Sequence, residues 1–132
     1  MWQQPKVNWR ASDYFNISDY NRIKGNINEI RTLAEDLWAE FSFSEMGEDK
    51  TYEDAGFYAD EINLFEENIE NFKNDLVALP VGDKKTFYDN TAFIDYEELN
   101  RIESACLWFY ENVLSAKNDR RRLAFTLGTG RF

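Results

Sequence analysis

Apolar side chains recur at alternating intervals of three and four in three stretches of this chain. Tyr20, Ile23, Ile27, Ile30, Ala34, Leu37 and Phe41 form the first stripe. Ile62, Phe65, Ile69, Phe72, Leu76 and Leu79 form the second, and Leu99, Ile102, Cys106, Phe109, Val113 and Ala116 the third. Such spacing lines one face of an α-helix. Leu33, Trp38, Tyr58, Leu107, Trp108, Tyr110 and Leu114 broaden these faces beyond a narrow seam, which predicts a globular bundle rather than an extended coiled coil. The pattern places helices near 17–40, 55–78 and 95–118. Asn16 is a candidate N-cap for the first, and Asp95 with Glu98 three residues on has the form of a capping box for the third.

The three segments also align with one another without gaps. Asp19-Tyr20-Asn21-Arg22-Ile23 matches Glu61-Ile62-Asn63-Leu64-Phe65 and Glu98-Leu99-Asn100-Arg101-Ile102, and the match continues through Ile30, Phe72 and Phe109. The period of about 40 residues suits a repeated supersecondary unit. Gly47 to Tyr52 and Gly82 to Phe87 form similar flanks before the second and third units, with Pro5 to Trp9 as a counterpart before the first. Phe41-Ser42-Phe43-Ser44 and Leu123-Ala124-Phe125-Thr126-Leu127 alternate apolar and polar, the period of a strand. Pro80 makes Val77 to Val81 a poorer strand candidate. The expected fold is mainly α: a three-helix bundle built from three internal helical repeats, with short β-like connectors and extended terminal arms. The whole chain, 1–132, reads as a single domain, with repeat units at about 5–43, 44–79 and 80–127 and arms at 1–12 and 119–132.

Polar positions repeat as well. Asn21, Asn63 and Asn100 stand beside the first core residue of each helix, although Asn is a mediocre helix former. Three occurrences suggest one hydrogen-bonding task, and the expectation is that each amide satisfies backbone groups of the connector leading into its helix. Ligand or partner binding is the functional alternative. Arg22 and Arg101 follow their Asn, but Leu64 replaces Arg in the second unit. Glu66 and Glu103 occupy the position held by Lys24 in the first. These charges read as solvated helix surface or interface.

Composition narrows the chemistry. The 132 residues include 4 Trp, 7 Tyr and 11 Phe, no His and 1 Cys, with 15 basic against 25 acidic residues for a net charge of −10. The apolar content rules against disorder. Absence of His excludes a His-based nucleophile relay or a His-containing metal site, and one Cys excludes an internal disulfide or a thiolate cluster. Cys106 falls within an apolar stripe and reads as a core residue. The acidic balance argues against general nucleic-acid binding and against anionic lipid. Neighbouring carboxylates such as Glu66-Glu67 point in different directions on a helix and do not make a glycosidase pair. No calcium loop is present, and Gly128-Thr129-Gly130 lacks the Lys and helix of a phosphate loop. The reading is therefore of a protein without catalytic residues, cofactor or metal. Its N-terminus lacks the apolar run of a signal peptide, and no stretch is long enough to span a bilayer.

The two ends carry the candidate interface. Trp2 and Trp9 lie in a non-periodic N-terminal segment. Arg120, Arg121 and Arg122 are the one dense basic run, with Phe125 and the terminal Phe132 beyond it. Segments this apolar fold back on the bundle or bury against another subunit, and large aromatics are common interface anchors.

The stretch from Asn8-Trp9 through Asp13-Tyr14-Phe15-Asn16 to Asp19-Tyr20-Asn21-Arg22-Ile23-Lys24-Gly25-Asn26-Ile27 resembles small structural proteins of the tail and baseplate modules of phages and prophages of Gram-positive bacteria. Gly47 to Tyr52, Asn100 to Ser104, and Arg122 to Gly128 share the resemblance. It implies a non-enzymatic virion protein at the tail tip, baseplate or fibre attachment, made in a bacterial cytoplasm. Its partners would be other phage tail proteins and copies of itself in a symmetric homo-oligomer, with no nucleic acid and no membrane. The alternative is a soluble acidic inhibitor mimicking the charge of nucleic acid.

Overall fold

A computed structural model describes residues 2–38, 40–51, 59–76, 79–82, 84, 86–87 and 95–128, with the backbone alone over 120–128. It is mainly helical: α1 (Ile17–Glu35), α2 (Ala59–Asp75) and α3 (Tyr96–Gly128), with no strand among the described residues. The three apolar stripes converge on one core. Ile23, Ile27 and Ile30 of α1 meet Ile62, Phe65 and Phe72 of α2 and Ile102, Phe109 and Val113 of α3, all essentially inaccessible to solvent. Tyr20 tilts onto Phe65, and Phe72 and Phe109 meet edge to face with centroids 5.6 Å apart.

The helices run parallel. Arg22 of α1 reaches Glu103 of α3, and fourteen residues further along each helix axis Asp36, the C-cap of α1, reaches Lys117. Arg101 of α3 likewise touches Glu66 of α2, and Phe109 meets Phe72 on the following turns. Parallel neighbours require long returning connections, and the chain supplies them. In the first connector, Ser42 is held by Asp75, Ser44 by Asn68 and Lys50 by Asn21, a steady descent from the C-terminal to the N-terminal end of the bundle. The N-terminal arm descends the same way: Trp2 on Tyr110, Gln3 on Asn26, Trp9 on Asn100.

Several expectations are corrected. The first helix ends at Glu35, five residues early, where the Leu37 and Trp38 N–H groups both bond back to the Ala34 carbonyl; Leu37 and Phe41 pack on the core from the connector instead. Leu76 and Leu79 also lie beyond their helix. Phe41 to Ser44 forms no strand. The third helix, by contrast, runs ten residues past 118, so residues 119–128 are neither an extended arm nor a strand, and Arg120 to Arg122 lie within the helix. Leu123 and Leu127 are also four apart, and Arg, Leu and Ala are strong helix formers with no Gly or Pro before Gly128. Asn16 is the N-cap of α1, its N–H donating to Asp19; Asp95 Oδ1 accepts from the Glu98 N–H, and Glu98 Oε2 accepts from Arg101. Tyr58, Tyr52 and residues 77–78 lie outside the described residues.

Gly47 and Gly82 both have positive φ, 78° and 79°, where a Cβ costs about 1–2 kcal/mol. At Gly47 an added Cβ meets open space, whereas at Gly82 it falls 2.7 Å from Cδ of Arg101. Arg101 is anchored to Glu66 and Glu98 and cannot move aside cheaply. Gly82→Ala therefore destabilises at least twice as much as Gly47→Ala in urea unfolding. Equal losses would show that Arg101 is free to shift.

Candidate functional site

The recurring Asn residues work as backbone clamps. Nδ2 of Asn21 donates to the Lys50 carbonyl while its Oδ1 accepts from the Lys50 N–H, at 2.9 and 2.8 Å. Asn63 holds Phe87 the same way, at 2.8 and 2.7 Å, and Asn100 holds Trp9, at 3.1 and 2.7 Å. The amide thus replaces the β-ladder that a connector packed against a helix cannot make. The expected task is seen, but on different connectors. Asn21 and Asn63 hold the segment leaving their own helix, and Asn100 holds the N-terminal arm.

A second tier of clamps stands at a position that is Asn, Asn and Ala in the three aligned segments, a recurrence the pattern shows without its task. Asn26 clamps both backbone groups of Gln3, and Asn68 both of Ser44, at 2.7–2.8 Å. These residues stand five positions after Asn21 and Asn63, and they grip the connectors six positions before Trp9 and Lys50. In the third unit the corresponding positions are Ala105 and Val81, both buried, and the Val81 N–H bonds instead to the Leu79 carbonyl. The tier places Lys50 level with Phe87, although Lys50 stands three residues past Gly47 and Phe87 five past Gly82. The two glycine flanks are therefore offset by two residues.

Removing one clamp leaves a backbone N–H and C=O unpartnered, at a cost of about 2–3 kcal/mol together. Asn63→Ala lowers the melting temperature accordingly, while Asn63→Asp, which keeps only the acceptor, falls between. An unchanged melting temperature for Asn63→Ala would remove the structural role.

Beside the clamps lie buried ion pairs, a correction to the solvated surface expected for these charges. Arg22 bridges Asp19 on its own helix and Glu103 on α3, with Nε and NH2 on the two Glu103 oxygens at 2.9 and 2.8 Å. Glu103, 1% exposed, also accepts from the Lys6 N–H and the Trp9 indole N–H. One turn of the bundle away, Arg101 joins Glu98 on α3 to the buried Glu66 on α2. Burial works against the charge on both arginines, but hydrogen bonds to their carboxylates outweigh it and hold each guanidinium above its ordinary pKa. At the remaining interface, α1 against α2, Leu64 and Lys24 take the equivalent positions. Lys24 turns to the Gly47 carbonyl and to Asp49, while Lys50 pairs with Glu61 at 2.9 Å and lies over the Tyr20 ring. Burial, then the charge of Glu61, pushes the Tyr20 phenol up to about 12. Burial also raises the Cys106 thiol, with Glu103 adding to the effect, so this thiol is held protonated.

The candidate interface residues divide. Trp9 is 3% exposed and belongs to the core, so it cannot anchor a protein partner as expected. Trp2 stacks on Tyr110 of the same chain, centroids 3.8 Å apart and planes within 7°. Arg120, Arg121, Arg122 and Phe125 lie on the helical backbone of α3, and Phe132 lies outside the described residues. Among the described residues the exposed large apolar side chains are instead Val7, Tyr14, Tyr96 and Trp108. No group of His, Cys, Asp and Glu able to hold a metal occurs among the described residues, and none of their helices is long and apolar enough to cross a membrane. Comparison with protein-family models, with curated proteins and with solved structures returns no match for this chain.

Proposed function

We propose that this chain is a non-enzymatic structural protein of a phage tail, a tail-tip, baseplate or fibre-attachment adaptor that works through protein–protein contacts. Its 132 residues act as one domain of three internal repeats: each unit is a returning connector followed by a helix, and the N-terminal arm closes the ring between α3 and α1. The polar residues that recur in the sequence are spent on holding this ring, which suits a rigid scaffold.

The observation that carries the reading is the length of α3. It has 33 residues against 19 and 17 in α1 and α2. Lys117 already pairs with the C-cap of α1, so residues 118–128 project about 16 Å past that level at 1.5 Å per residue. Residues 119–132 carry four Arg against one Asp, while residues 1–118 hold 11 basic and 24 acidic residues. A basic stem with Leu123, Phe125 and Leu127 on an acidic body is suited to docking on an acidic neighbour, including another copy in a symmetric ring. The resemblance to tail-module proteins supplies the setting.

Deleting residues 123–132 leaves a bundle with unchanged melting temperature that no longer enters phage particles, read by mass spectrometry of purified virions. Normal incorporation of the truncated chain would contradict the stem's role. Absence of the full chain from particles, with recovery from lysate on a nucleic-acid-binding enzyme, would favour the acidic mimic instead.

A further inference from the structure

We infer that the groove between the N-terminal arm and the start of α3 is a binding site for a neutral saccharide. The groove has a volume of ≈ 340 Å³, within the range of about 300–1,000 Å³ typical of small-molecule sites. Trp9, Phe15 and Leu99 line it from the core side, and Tyr14 and Tyr96 from the outside. Tyr14 is 84% exposed and Tyr96 38%, so two of the four exposed large apolar side chains among the described residues stand on this one concavity. Two exposed aromatic rings on one concavity form a surface on which a ligand ring can stack.

The polar groups in the groove are fixed in place with hydrogen-bonding capacity to spare. Asp13 Oδ2 accepts from the Arg10 N–H at 2.9 Å and pairs with Lys6 at 3.2 Å, leaving Oδ1 without a partner among the described residues. Those same contacts, the Arg10 N–H first and Lys6 second, hold the Asp13 carboxyl below its ordinary pKa, so it is an ionised acceptor at neutral pH. Asp95 Oδ1 caps the Glu98 N–H, leaving Oδ2 open in the same way. The Arg10 guanidinium, on the same groove, makes no ion pair among the described residues. Fixed acceptors, a free planar donor and exposed aromatic faces together match a ring with one apolar C–H face and an edge of hydroxyl groups.

Charge decides against the neighbouring ligand classes. Two carboxylates at the rim and a net charge of −10 disfavour phosphates and acidic sugars. A quaternary ammonium is disfavoured because the Trp9 face already carries Lys6 Nζ, 4.2 Å from the ring centroid, with Arg10 close by. A neutral polyhydroxylated ring meets neither repulsion.

The test titrates the purified full chain with four soluble neutral oligosaccharides: maltotetraose, cellotetraose, chitotetraose and β-1,4-galactotetraose. Binding is followed by NMR shifts of the Tyr14 and Tyr96 rings and of Leu99. The expected result is saturable shifts with at least one of them, at least tenfold weaker for Tyr14→Ala and for Arg10→Ala, with melting temperatures unchanged in both variants. No saturable shift with any of the four would overturn the proposal, as would binding that survives both substitutions. Saturable binding of choline chloride or sodium phosphate at these residues would overturn it in favour of the charged class.

Discussion

Glu103→Gln is expected to cost about 3–5 kcal/mol, lowering the melting temperature by about 10–20 °C. Glu103 is 1% exposed and accepts hydrogen bonds from four groups on three residues: the Lys6 N–H and the Trp9 indole of the arm, and Nε and NH2 of Arg22 on α1. Gln keeps the volume but removes the charge that compensates Arg22, and it substitutes a donor for one acceptor oxygen among donors. The guanidinium is then buried with half of its ionic partners gone, the situation in which breaking a buried pair is most costly. Replacing both partners tells the charge effect from the packing effect. Arg22→Met combined with Glu103→Leu should recover most of the loss, because apolar side chains of similar size need no partner. Chemical denaturation of the two variants checks this, and a loss below about 1 kcal/mol for Glu103→Gln would mean the carboxylate is not the hub described.

Removing residues 1–12 has a larger effect: the remaining chain loses cooperative folding. The arm buries Trp9, worth about 3–5 kcal/mol by itself, supplies the backbone held by Asn26 and Asn100, and gives Glu103 two of its donors. Its loss exposes the groove between α3 and α1, and the sum is comparable with the 5–15 kcal/mol that holds most domains folded. Adding a synthetic peptide of residues 1–12 should restore helicity measured by circular dichroism, with a blue shift of Trp9 emission as the indole is buried. A truncated chain that melts as the full chain does would show that the arm is an appendage.

The apolar stripes and the first tier of Asn residues were legible because they obey local periodicity. Tyr20, Ile23, Ile27 and Ile30 are core residues by spacing alone. The direction of the helices was not legible, since a stripe does not say which way its neighbour runs, and so the connectors could not be assigned to their clamps. Arg22 and Arg101 looked like solvated charges because their carboxylate partners lie on other helices. A signal was nevertheless present. Where Arg is lost, at Leu64, the Glu facing that position in the bundle is lost too, at Lys24. Matched losses within one repeated sequence mark a contact between units. The Asn26 and Asn68 position was visible as a recurrence of Asn or Ala, but Ala105 cannot clamp a backbone, so the shared task was not legible. The reach of α3 to Gly128 was misread because Leu123, Phe125 and Leu127 satisfy a strand period as well as a helical one. The candidate groove drew no notice in the sequence, as Tyr14, Asp13 and Asp95 come together only when the arm docks on α3.

The central claim is that three parallel helices and three returning connectors form a closed ring in which the N-terminal arm is equivalent to the internal connectors. A circular permutant tests it most directly: residues 40–118, a short flexible linker, then residues 1–38. This opens the first connector above Ser42 and turns the arm into an internal connection. The account predicts a cooperatively folded monomer melting within a few degrees of the truncated 1–118 chain, with the Asn21–Lys50 and Asn100–Trp9 amides both protected from hydrogen exchange. A permutant that fails to fold, or that folds with either pair unprotected, would contradict it.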